Sequence, residues 1–112
     1  MRLPSEFLSY GWCQHHMAKN SQGDVCMFRS LDASSWCMQG ALHRAYYAGG
    51  ITWSEMLGLE LWLQDQCAQP GKPPTIGSLV VWNDDPERSI GQAIALMCQA
   101  EATVLGPRLR DT

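Results

Sequence analysis

Residues 33–45, ASSWCMQGALHRA, decide how the middle of the chain is read. The pattern is helical from about Asp32 to Ala48, and Gly49-Gly50 stop it. Small residues fall along one side, at Ala33, Cys37, Gly40, Ala41 and Ala48, a side that another element could approach closely. Cys37 then lies in the first turn or two, where a helix field favours a thiolate. It is therefore read two ways, as a nucleophile or as a small apolar residue packed at a helix crossing.

Working outward, PSEFLSY (residues 4–10) forms a short first helix that starts at Pro4 or Ser5 and ends at Gly11. Two short runs, WCQHHMA and VCMF, flank the turn-forming KNSQGD and suggest a β-hairpin or irregular segment near residues 12–28. Thr52-Trp53-Ser54-Glu55 has the form of a capping box. The helix it opens runs to about Ala68, with Met56, Leu59, Leu63 and Cys67 on one side and Leu57 and Leu61 beside them. An apolar surface that wide predicts a largely buried helix.

QPGKPPT, residues 69–75, is a loop within one domain. TIGSLVVW reads either as a strand, from its β-branched residues, or as a helical turn. Ser89-Ile90-Gly91-Gln92 is a second capping-box form, opening a helix through Met97 and Val104. The tail GPRLRDT reads as polar and frayed. The expected fold is mainly α (α+β): one domain, residues 1–112, of about four helices and a small β-hairpin or irregular segment.

Composition narrows the function classes. A hydrophobic fraction of 46% against 17% charged residues supports a real core and excludes a disordered charged tail. The net charge is −3 and the eight Lys and Arg are scattered, which disfavours direct nucleic-acid binding and favours a basic partner surface. No apolar run approaches the ~20 residues of a membrane span. The N-terminal MRLPSEFLSYGW has no signal-peptide core, so the cytoplasm is the expected location. Five cysteines, an odd number with no CxxC, suit reduced thiols. Five tryptophans are many for this length, and Trp is enriched at interfaces.

Three constellations could carry chemistry. Cys13, His15, Cys26 and Cys37 are the right residue types for a Cys/His zinc site, although they lack tight ligand pairs. No other cofactor is suggested. Cys37 as nucleophile would need a base. His43 lies six positions along the same expected helix, about 9 Å up the axis and about 240° around it, and so faces away. His15 or His16 would have to fold back, with Asn83 or Asp84 orienting the imidazole. The third is WNDDPERS, residues 82–89. Turn chemistry explains most of it: Asn83 and Asp84 turn the chain, Pro86 fixes its path, and Trp82 anchors it in the core. As a binding surface it offers Trp82, Asn83, Asp84, Asp85, Glu87 and Arg88, with three carboxylates as an acidic knob for a cation or a basic partner.

GWCQ at Gly11–Gln14, WCMQGA at Trp36–Ala41 and WNDDPERS at Trp82–Ser89 together resemble a family of small bacterial and phage proteins of unknown function. Its pattern is Gly-Trp-Cys/Thr-Gln, Trp-Cys-x-x-Gly-Ala and Trp-Asn-Asp-x-Pro-x-Arg-Ser/Thr. Relatives often carry a helix-favouring residue and Glu where this chain has Gly91 and Gln92, which should weaken the last helix. The resemblance implies a phage or prophage setting and no reaction. The leading expectation is thus a phage-associated protein that binds a host protein or complex, for example as an inhibitor of a bacterial defence system such as CRISPR-Cas. The alternatives are a cysteine-dependent hydrolase or transferase using Cys37, and a small zinc-stabilised module.

Overall fold

Pro4 supplies a pre-set φ and needs no amide partner, which suits the first turn of a helix. Helix α1 accordingly spans Pro4–Tyr10 in the computed structural model, which describes residues 1–110. Glu6 reaches back to the Leu3 N–H at 2.9 Å, and Ser5 at the helix start is held by a carboxylate from far along the chain. Five further helices follow among the described residues: α2 (Met38–Tyr47), α3 (Trp53–Cys67), α4 (Ile76–Asp84), α5 (Ile90–Val104) and α6 (Gly106–Arg110). The only sheet among them pairs β1 (Ala18–Asn20) with β2 (Ala33–Trp36). The fold is mainly α, as expected. The two extra helices come from the ambiguous TIGSLVVW and from the tail, whose residues 106–110 are helical. The rest of the tail, residues 111–112, lies outside the described residues.

The central stretch departs from the expected single helix. Residues 33–36 are a strand, Cys37 is the N-cap, and the helix begins at Met38. The cause is non-local. β2 runs antiparallel to β1 with Trp36 opposite Ala18, and the Trp36 backbone also bonds residues 11–13, its N–H to Gly11 O and its O from Cys13 N–H. The expected hairpin partner, VCMF, touches β1 through a single bridge, Val25 to Lys19, and a Cys26 N–H bond to Ala18 O. Thus only Gly40 and Ala41 of the expected small-residue side are buried on α2; Ala33 belongs to the strand and Ala48 is the exposed C-cap. A Cβ at Gly40 would run into the Met17 carbonyl, so only glycine lets the β1 approach pass this close. Gly49 takes φ 78° and turns the chain out of α2.

Both predicted capping boxes form. Thr52 Oγ1 accepts from Glu55 N–H while Glu55 accepts from Thr52 N–H, and Ser89 and Gln92 do the same for α5. Helix α3 packs on α2, α4 and α5, and α1 on α2 and α5. Met56, Leu59, Leu63 and Cys67 of α3 are buried as expected. Leu57 and Leu61 are not: they stand in solvent with Trp53, one turn apart from each other, so α3 is buried on one side only. In α4 tertiary packing overrides the β-branched composition. Leu79 and Asn83, four residues apart, face the core and leave Val80 and Val81 outside. No helix among the described residues is long and apolar enough to cross a membrane.

Candidate functional site

The three motifs meet where α4 ends. A helix C-terminus leaves carbonyls without intrahelical partners, and here side chains from elsewhere supply the donors. Gln14 Nε2 donates to Asn83 O at 3.0 Å and to Asp85 O at 2.7 Å. Arg88 Nε donates to Trp82 O at 2.9 Å, with its guanidinium 3.6 Å above the Trp82 ring. Pro86 and the bond from Glu87 N–H to Asp85 Oδ1 fold the intervening turn.

Asn83 ties these segments together. Its Oδ1 accepts from Trp12 Nε1 at 2.9 Å and from Met38 N–H at 3.0 Å. Its Nδ2 donates to Cys13 O at 3.2 Å and to Asp84 Oδ1 at 3.0 Å. A primary amide has two donors and two acceptor positions, and all four are filled. Asn83 is 2% exposed, so truncating it would strand several buried groups at about 1–3 kcal/mol each. The amide links the GWCQ loop, the first residue of α2 and the end of α4. Nothing in the spacing of WNDDPERS signals this, because Trp12, Cys13 and Met38 all lie more than forty residues away; Gln14 was missed for the same reason.

Asp84 next holds the histidine loop. Its Oδ1 also accepts from His15 N–H at 2.8 Å, and Oδ2 is 3.7 Å from His15 Nδ1. His15 carries a φ of 73°, rare for a residue with a side chain and costly unless its surroundings enforce it. Beside it lies a cavity of about 100 Å³ lined by His15, His16, Met17, Cys37, Gln39, Leu79, Val80, Asn83 and Asp84. The structure thus brings to one cavity all five residues expected of a cysteine enzyme. His43 is elsewhere, 3.1 Å from Glu60, as its helical position required.

Cys37, however, serves as a helix cap. Its Sγ accepts from the Gly40 N–H at 3.3 Å as the cap of α2, and among the described residues no histidine is hydrogen-bonded to it. Burial pushes the thiol up to about 11, against the lowering effect of that N–H. Burial likewise raises Cys13, whose S–H donates to His16 O at 3.5 Å. Among the described residues no group of three or more His, Cys, Asp or Glu side chains gathers as a metal would require, so Cys13, His15, Cys26 and Cys37 form no ligand set. The β1–β2 pairing and the capping role of Cys37 commit those segments to other geometry.

Of the expected binding residues, Asn83 is buried and Trp82 and Arg88 are half-buried against each other. Asp85 and Glu87 are exposed, and Asp84 stands at the cavity edge. A broad groove of about 430 Å³, lined by Val80, Val81, Asp84, Asp85 and Pro86, shares Val80 and Asp84 with the cavity. The exposed valines were legible only in hindsight: with Leu79 and Asn83 on the buried side, positions 80 and 81 must diverge from it.

Comparison with curated proteins and with solved structures finds no match. The model of a family of unknown function, DUF6197, matches residues 8–103 and so spans all three motifs. With that match over most of its length, the chain belongs to the DUF6197 family of unknown function.

Proposed function

We propose that this protein is a non-enzymatic binding module that grips a basic partner protein through the groove at the end of α4. One observation carries the reading. The buried hydrogen-bonding groups of the motif corner, above all Asn83, are engaged with one another, whereas Val80, Val81 and Pro86 stand in solvent beside Asp84 and Asp85. An apolar centre with an acidic rim is suited to a partner that offers aliphatic and cationic surface. The net charge of −3 adds long-range attraction to such a partner. The phage or prophage setting implied by the sequence motifs extends the proposal: the partner is a host protein or complex in the cytoplasm, and the outcome is inhibition of a bacterial defence system such as CRISPR-Cas.

The test is affinity capture from host cells with the wild-type protein and with Val81→Glu, a change at a side chain 53% exposed. The proposal expects a stoichiometric partner on the wild type that the folded variant fails to hold. No partner across several host defence systems, or equal capture by both proteins, contradicts it.

A second reading rests on the shared cavity. Cys37, His15, His16, Asn83 and Asp84 line it together, as a cysteine-dependent hydrolase or transferase would need. Its thiol would then have to out-react the exposed Cys98.

A further inference from the structure

We infer that the cavity and the groove beside it form a socket for one arginine side chain presented by the partner. The inference rests on the binding reading and specifies what the site takes.

The socket has three parts. The open groove, with Val80, Val81 and Pro86, gives an apolar track for the methylenes of a long side chain. The cavity of about 100 Å³ adjoins it and shares Val80 and Asp84 in its lining. At the junction stands a carboxylate of which one half is spoken for. Asp84 Oδ1 accepts from His15 N–H and Asn83 Nδ2, which fix the group in place, while Oδ2 has only His15 Nδ1 at 3.7 Å, beyond hydrogen-bond length. A carboxylate held this way is a pre-organised acceptor and loses little freedom on binding a donor.

The rest of the lining selects the donor. Gln39 lines the cavity, and its side-chain amide makes no hydrogen bond among the described residues, so it is free to serve as a second acceptor. His15 and His16, both exposed, line the same cavity, and their side chains end in planar rings. A guanidinium is planar, stacks on such rings and presents several N–H groups in one fork, whereas an ammonium does neither. The nearby native cation is engaged elsewhere: Arg88 lies over Trp82, donates to its carbonyl and stands 3.9 Å from Asp85 Oδ2. An arginine from outside therefore meets a fixed carboxylate, two planar-ringed lining residues and an aliphatic track.

The experiment titrates isotopically labelled protein with N-acetyl-arginine amide and follows backbone amide shifts. The uncharged citrulline analogue and the lysine analogue serve as comparisons. The expected result is saturable shifts confined to residues around 15–17, 37–39 and 79–85, with citrulline and lysine at least about tenfold weaker. Asp84→Asn keeps an oxygen for His15 N–H and Asn83 Nδ2 while removing the charge, and should weaken arginine at least about tenfold. Val80→Trp, at a side chain 37% exposed, should block the track and do the same without touching the carboxylate. Scattered or unsaturable shifts, citrulline or lysine binding as well as arginine, or arginine binding unchanged in both variants would each overturn the socket. A captured partner lost in Val81→Glu without any arginine response sinks the socket and leaves the binding reading standing. A saturable arginine response with no captured partner does the reverse.

Discussion

At position 83 an amide that looks like a turn residue is the joint of the molecule, because four hydrogen bonds meet on it, three of them with two distant segments and one to the adjacent Asp84. Sequence reasoning sees the turn, since turn propensity is local, and cannot see the joint, since the partners are set by the fold. Glu101 is a second such residue. It is 4% exposed and accepts from Ser5 N–H at 2.8 Å and Ser5 Oγ at 2.6 Å, so it closes the N-terminus of α1. Burial lifts its carboxyl above the ordinary value, with the Ser5 bonds opposing. The folded protein therefore holds this proton at a higher pH than the unfolded chain does. Stability from this group falls as pH rises through the raised value and is regained below it. Urea unfolding of wild type and Glu101→Gln at about pH 4.5 and about pH 7.5 isolates the effect. The wild type should gain relative to the variant at the lower pH. A stability difference that does not change with pH contradicts this assignment.

Among elements, those with local punctuation were readable and those made by distant pairing were not. The two capping boxes, Pro4, and Gly49-Gly50 announced the starts or ends of four helices, and all four are present. ASSW carries no alternation and joins a helical run, so its strand exists only because β1 lies beside it. Helix α6 extends a tail that looks polar in isolation, where Leu105 and Leu109 pack against the core. The close contact of α2 with Met17, just before β1, tests this reading of the elements. Gly40→Ala should cost about 1–3 kcal/mol, because the Met17 carbonyl is backbone and cannot swing aside. Gly91→Ala in α5 meets only Ser89 Oγ at 3.9 Å and should stabilise by roughly 0.5 kcal/mol. Chemical denaturation measures both; equal effects would mean that the close approach at Gly40 does not constrain the fold.

At the scale of the whole molecule, motifs separated by most of the chain converge on one corner and hold it rigid, with a groove left open beside it. That the motifs belong together was legible in the sequence; that they act mainly on one another required the coordinates. The central claim is that Trp36-Cys37 is part of this framework and that its thiol is packed, not poised. A thiol held at about 11 is ionised to only about one part in ten thousand at neutral pH. The direct measurement is the rate at which iodoacetamide labels each cysteine of the native protein near neutral pH, read by mass spectrometry. Cys98, exposed, should label first, and Cys37 should stay unmodified until the protein is unfolded. Selective labelling of Cys37 ahead of Cys98 in the folded protein would contradict the account and make the cavity an active site.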